Sequence, residues 1–237
     1  MTVAAEDAVA RLAALPGVRT ASALAAARSS ASASGEALPV PGSLTSLLEL
    51  RRGTTVAVHG STSLLLALLA GATAAGSWAA VVGMPSLGLA AASELGVTLP
   101  RLVLVPRPGG DLTTVVGALL DGLDLVVLGR SVCQTLPAST AQRLARRARS
   151  RNALLLAAGA WPGADQQLRC GPGRWVGGAS DGRGRLEYRE IVVYRDGRGS
   201  AAAGASVPLR LPGPGGGLER QPGTGASESP GDREVAG

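Results

Sequence analysis

The chain has 237 residues, a formal net charge of +6 and 46% apolar residues, but only 2% aromatics and no phenylalanine. That length can bury one sizeable core with appendages to spare. All 23 basic residues are arginine, so chemistry that requires a lysine, whether in a phosphate loop or a Schiff base, is excluded.

Alanine, glycine and arginine are abundant throughout, which makes arginine content alone a weak sign of nucleic-acid binding. The charge is unevenly placed, however. Between Arg130 and Arg198 there are thirteen arginines against five acids, a local +8, whereas the first 120 residues carry seven arginines and six acids. A basic surface in the second half would suit an acidic partner or a phosphate backbone at low salt. Cys133 and Cys170 stand far apart without metal-ligand spacing and read as free thiols of a reducing compartment. The opening MTVAAEDAVARL lacks the basic region and apolar core of a secretory signal, so a cytoplasmic location is expected.

In chain order, a helix is expected from Glu6 to Leu15, then an Ala/Ser-rich stretch to about residue 36 that reads as a linker or a frayed helix. LPVPGSLTSLLEL gives a prolyl turn and a short helix from Ser43. A strand from Thr54 to Val58 is followed by a helix from Thr62 to Ala75, a strand from Trp78 to Val82, a helix from Leu87 to Leu95 and a strand from Leu102 to Val105. Asp111 should cap a helix from Leu112 to Leu120. Leu125 to Leu128 and Leu154 to Ala157 are short apolar strands, separated by a helix from about Thr140 to Ser150 capped by Ser139. Continuous apolar strands alternating with helices specify an α/β fold, a parallel sheet covered on both faces. The uncharged run from Gly60 to Ser93 is broken by Gly71, Gly76, Gly83 and Pro85 at intervals that suit this alternation, so no membrane span is assigned. RWVGGAS, DGRGR and LEYREIVVYRDG form a hairpin pattern with its turn at Gly182 to Gly184, adding antiparallel strands to one edge. VPLRL, residues 207–211, is a last strand. Residues 212–237 are poor in apolar side chains and are expected to be disordered, which leaves residues 37–211 as the core.

Thr54 to Ala75 has the order strand, tight turn, helix of a nucleotide-binding domain. A working phosphate loop reads G-x-x-x-x-G-K-[ST], its backbone N–H groups and lysine holding the phosphates. Here His59-Gly60 is followed at once by Ser61-Thr62-Ser63 and the leucines of the helix, a loop too short to wrap a phosphate and without the lysine.

The stretch from Gly53 through Ala158 resembles the core of the RecA recombinases: ELGVTLPRLVLVPRP resembles the turn that delivers their third strand, and DLTTVVGALLDGLDLVVLGR the helix and strand of Walker B. The LPVPGSLTSLL lead-in, the emptied loop and WPGAD resemble, more narrowly, the actinobacterial ImuA-type proteins, RecA-like accessory factors of inducible, error-prone translesion synthesis in the SOS response. That resemblance implies a RecA-like fold with a degenerate P-loop. By the same resemblance the catalytic positions are empty: no lysine at Ser63-Leu64, Gly129 in place of the Walker B acid, Gly83 to Ser86 without a carboxylate, and Gly159-Ala160-Trp161 where a polar sensor would stand. The implied protein is a pseudo-ATPase with no nucleotide or metal cofactor, acting as an adaptor in mutagenesis and DNA repair. Its implied partners are a Y-family polymerase homologue (ImuB-type), an error-prone C-family DNA polymerase and, as a third candidate, RecA.

Each candidate site residue has a plainer reading. His59, the sole histidine, could be a base, but no nucleophile or orienting carboxylate is identifiable beside it and a structural role is preferred. Ser61, Thr62 and Ser63 could bind an anion at a helix N-terminus; capping accounts for the same residues. Arg143, Arg147 and Arg151 form one helical stripe that could meet DNA or an acidic protein, against the plainer reading of a solvated face. Trp161 and Trp175 flank an irregular loop where either could anchor a partner or lid the sheet, and the sequence leaves both open.

Overall fold

A computed structural model describes residues 36–178, 184–196 and 204–222. The expected N-terminal helix from Glu6 to Leu15 therefore lies outside the described residues, as does most of the expected turn at Gly182 to Gly184.

Among the described residues the strands are β1 Ala37–Leu38, β2 Leu50–Arg51, β3 Thr55–His59, β4 Ala79–Val82, β5 Leu102–Val105, β6 Leu125–Leu128, β7 Leu154–Ala157, β8 Gln166–Cys170, β9 Arg174–Gly178, β10 Gly184–Asp196, β11 Ser206–Arg210 and β12 Glu219–Arg220. The helices are α1 Thr62–Ala74, α2 Leu89–Glu94, α3 Leu112–Gly122, α4 Arg130–Thr135 and α5 Ala138–Ser150. The main sheet runs β12-β11-β10-β8-β3-β7-β6-β4-β5, with β9 paired to β10. From β5 to β8 neighbouring strands are parallel, and from β8 outward through β12 they are antiparallel. The expected parallel sheet is thus the larger part of a mixed one.

Side-chain alternation assigns each face of the sheet its own core. Val56, Val58, Val81, Val127 and Leu156 pack with α1 and α2 on one face. Ala57, Val82, Val126, Leu128 and Leu155 pack with α3, α4 and α5 on the other. Strands β4, β6 and β7 are buried at every position, which is why they carry no polar alternation.

Helix α1 is apolar nearly all round, with Leu64, Leu65, Leu66, Leu68 and Leu69 all buried. Its outer side is covered by residues 38–50, where Leu38, Leu44, Leu47, Leu48 and Leu50 are buried against it. This covering explains the hydropathy of the segment: the helix lies between a sheet and a leucine-rich strap. A Cβ at Gly71 would fall 2.6 Å from the Pro39 carbonyl oxygen, so the absence of a side chain there lets the strap lie close. Strands β1 and β2 close the strap antiparallel, and its end is fixed by Arg52, whose Nη1 donates to Asp124 Oδ1 at 2.5 Å. Asp124 Oδ2 accepts from the Trp78 backbone N–H at 2.7 Å. Both side chains of the ion pair are more than nine-tenths buried.

Several expectations need correction. The lead-in helix from Ser43 is a single 3₁₀ turn, Gly42–Leu44. Ser139 does not cap α5, which begins one residue earlier after Pro137; that proline's fixed φ suits a helix start without a side-chain cap. Asp111 stands at the N-cap of α3 without a capping hydrogen bond. The helix expected from Leu87 to Leu95 is the shorter α2, and α4 was not foreseen. Nor was β8, whose Gln-Gln-Leu-Arg-Cys sequence buries Leu168 and Cys170 and exposes Arg169 where the sheet passes from parallel to antiparallel. Residues 212–222, expected to be disordered, are instead bonded back to the sheet. Arg189 N–H donates to the Pro212 carbonyl at 3.0 Å, Gln221 N–H donates to that of Pro208 at 3.1 Å, and β12 pairs with β11.

Candidate functional site

The carboxyl ends of β3, β4, β6 and β7 lie side by side, where an open α/β sheet binds its ligands. At the end of β3, Gly60 takes φ +85°, a conformation that disfavours any side chain. A Cβ there would also approach the Cys170 carbonyl oxygen to 3.0 Å. Ser61 follows in extended conformation as the N-cap of α1, and its Oγ accepts the Leu64 N–H at 3.1 Å. The serine-threonine cluster is therefore a helix start, with Ser61 satisfying one of the orphaned first-turn amides. Beside it lies a cleft of ≈ 190 Å³ lined by Val58, Gly60, Ser61, Thr62, Leu65, Met84, Arg130 and Ala158. That is smaller than the roughly 300–1,000 Å³ of ordinary small-molecule sites. Ser63 and His59 are not among its lining residues; His59 ends β3, in register with Arg169.

On the far side of the cleft the ends of β4 and β6 interlock. Gly83 has φ +73° and donates its N–H to the Val105 carbonyl at 2.9 Å, while Gly129 donates to the Val82 carbonyl at 2.8 Å. A Cβ placed on Gly129 would overlap the Gly83 carbonyl oxygen and come 2.7 Å from Met84 Cγ. A Cβ on Gly83 would overlap the Val132 side chain. The position after β6 thus has no room for any side chain, a carboxylate included.

Arg130, the first residue of α4, is exposed and lines the cleft, with its Cγ 3.9 Å from where a Cβ of Gly159 would be. Cys133 lies half-buried behind it, its Sγ donating to the Leu128 carbonyl at 3.5 Å. Burial raises its thiol pKa to about 11, which rules it out as a thiolate nucleophile near neutral pH. Burial also raises the Cys170 pKa, opposed by the charge of Arg189 and a hydrogen bond with Ser61. Among the described residues no group of three or more His, Cys, Asp or Glu side chains could hold a metal ion.

The arginine stripe on α5 is largely engaged within the protein. Arg147 makes a fork to Asp121, Nε to Oδ1 at 2.9 Å and Nη2 to Oδ2 at 2.6 Å, and Arg151 Nε reaches the same Oδ1 at 3.1 Å. The guanidinium of Arg147 lies across α3 at Gly117. Arg149 pairs with Asp165 at 3.1 Å. Arg143 projects on the exposed face, while Ala141, Leu144 and Ala148 face the sheet. Further along the basic half, Arg169 pairs with Asp196, and Arg174 and Arg210 share Glu190. Acids therefore offset much of this surface among the described residues.

The two tryptophans separate. Trp161 is 3% exposed and belongs to the core under α3 and α5, so it cannot be a partner anchor. Its indole Nε1 is buried without a protein acceptor. Trp175, on β9, is 47% exposed. Two site features were missed in the sequence: the steric lock between Gly83 and Gly129, signalled only by an isolated glycine at each strand end, and Met84, whose Cγ also crowds Gly129.

The fold and site define an α/β protein with a mixed, mostly parallel sheet, a C-terminal antiparallel hairpin and a constricted cleft at the strand ends. No helix among the described residues is long and apolar enough to cross a membrane. The chain belongs to the family described as the MT3502 N-terminal domain, which matches residues 43–163. Over 121 residues it is 41% identical to a Mycobacterium tuberculosis protein described as uncharacterized protein Rv3395c. The aligned stretch is 51% of this chain and spans 59% of that relative's length.

Proposed function

We propose that this chain is a non-enzymatic, RecA-like accessory protein of the ImuA type that acts in DNA damage tolerance through protein contacts. The observation that carries the reading is the closed state of the strand ends. Gly129 stands, by the resemblance, where a Mg²⁺-organising acid belongs, and its backbone is so close to Gly83 that no side chain fits. The short cap at Ser61, the absence of any lysine and the small cleft point the same way. Phosphoryl transfer of the P-loop type uses a lysine and a metal-organising carboxylate; the chain has no lysine, and Gly129 stands at the carboxylate's position by resemblance. The sheet then serves as a scaffold whose edges and hairpin are available to partners, by resemblance a Y-family polymerase homologue, a C-family polymerase and RecA.

The direct DNA-binding alternative draws its support from Arg143 on the exposed face of α5, and the pairing of Arg147 and Arg151 with Asp121 weakens it. Calorimetric titration with MgATP tests the pseudo-ATPase part, and micromolar binding would sink it. Co-purification from DNA-damaged cells tests the adaptor part, which fails if no polymerase component is recovered.

A further inference from the structure

The long hairpin on the β3 side of the sheet has an open edge beyond the carboxyl end of β3. Strands β8 and β9 are nearly one strand, both antiparallel to β10, with a one-residue slip across residues 171–173: Cys170 pairs with Val193, whereas Trp175 pairs with Arg189. The base of this hairpin lies within the sheet, where β3 pairs with β8 as far as His59 opposite Arg169. There β3 turns away at Gly60 into α1, and β9 continues, rising past the carboxyl edge by about 3.3 Å per residue. Among the described residues β9 pairs with β10 alone. Its other edge thus runs on from the point where β3 leaves the sheet, directly beyond the Gly60-Ser61 turn.

The side chains on this ribbon favour one kind of occupant. Val193 and Ile191 of β10 lie in the core on the α1 side, and alternation carries Arg189 and its partner Trp175 onto that same side. The cleft opens on the α1 side as well, its wall including Leu65 of α1. Trp175 is exposed, and neither Arg189 nor the cleft-lining Arg130 is in an ion pair among the described residues, although Glu187 alternates onto the Arg189 side of β10. An exposed aromatic on an open strand edge, with Arg189 opposite it and Arg130 in the cleft beyond the end of β3, matches an extended peptide with apolar and acidic side chains.

We propose that the edge of β9 receives an extended acidic segment of a partner protein as an added strand, with an apolar side chain of that segment against Trp175 and carboxylates on Arg189 and Arg130. The degenerate nucleotide cleft then serves as one end of a peptide groove. This rests on the adaptor reading, and the two can fail separately: recovery of a polymerase component from cells tests that reading wherever the partner docks, and peptide selection tests the β9 edge whichever partner is recovered.

The test is selection of a random dodecapeptide phage library on the immobilised full chain, followed by fluorescence anisotropy with the selected peptide made synthetically. The expected peptides alternate apolar with acidic residues, bind more weakly as salt rises, and shift the tryptophan emission to the blue. Trp175→Ala should weaken binding at least tenfold, as should the pair Arg130→Ala with Arg189→Ala, with the melting temperature of Trp175→Ala unchanged because its ring is exposed. Selection of neutral or basic peptides, selection of no peptide, or binding retained in both variants would overturn the proposal.

Discussion

Gly129 and Gly83 approach so closely that a methyl group on the first would overlap the carbonyl oxygen of the second. The backbone of Gly129, at φ −63°, would itself accept any residue. Restoring an acid by Gly129→Asp should therefore yield overpacking rather than a metal site: a loss of about 1–3 kcal/mol or more, read by urea denaturation, with no MgATP hydrolysis gained. Gly129→Ala should already be destabilising, and a fully stable Gly129→Asp would contradict the steric account.

The buried pair Arg52 and Asp124 fastens the leucine-rich strap to the bottom of the sheet. Asp124→Ala leaves a buried guanidinium and the Trp78 N–H without their acceptor, and removal of one member of such a pair costs about 3–5 kcal/mol. Asp124→Asn keeps an oxygen for Trp78 and should lose less. Thermal melting of the two variants separates these terms; equal losses would show that only the charge matters.

Asp121 sets a pH dependence. Its hydrogen bond from Arg147 is the largest influence and lowers the carboxyl pKa below the ordinary 3.8, against a smaller opposing effect of burial. A carboxylate depressed in the folded state contributes stability that is complete above its unfolded pKa and is lost as the pH falls through the folded value. Urea midpoints measured between pH 6 and pH 2 should fall below about pH 4, and Asp121→Asn should flatten that part of the profile. Added salt should weaken the same contribution, because the pair is partly exposed.

Trp161 lends itself to a two-step test. Trp161→Ala empties a fully packed site and should cost about 3–5 kcal/mol. Trp161→Phe removes a buried N–H that lacks an acceptor while keeping a ring, so it should cost much less than the alanine variant. A phenylalanine variant as unstable as the alanine one would mean that the indole N–H is satisfied in solution.

The same engagement of arginines predicts weak DNA binding. With Arg147 and Arg151 held on Asp121, replacing Arg143, Arg147 and Arg151 by alanine should change affinity for a single-stranded oligonucleotide by less than about threefold, with a shallow salt slope. A steep slope that the triple variant abolishes would promote the DNA-binding alternative instead.

What the sequence made legible was the parallel part of the sheet, because strands buried on both faces are continuously apolar and leave an unmistakable pattern in β4, β6 and β7. It hid β8, which is buried on one face only and sits where the pairing changes direction. Ordering of residues 212–222 was also hidden, since it rests on backbone hydrogen bonds to Arg189 and Pro208 rather than on apolar side chains. At the candidate site the missing lysine was plain to read, whereas the glycine lock was not: whether Gly129 is merely substituted or sterically required depends on the path of a turn 46 residues away in the chain. The two tryptophans illustrate the same boundary. Equal in composition and flanking one loop, they differ because Trp161 follows a strand into the core and Trp175 sits on a strand that leaves it.

The strap and β8 together bear on the unit of inheritance. Similarity to the family covers residues 43–163, yet Leu38 lies before that stretch, and β8, which closes one side of β3, lies after it. A fragment cut to the matched limits would keep the whole of α1 but lose part of its cover, and would expose one flank of the central strand. The matched stretch and the packed body therefore have different borders in this chain: the core built on residues 43–163 is completed by residues from both sides.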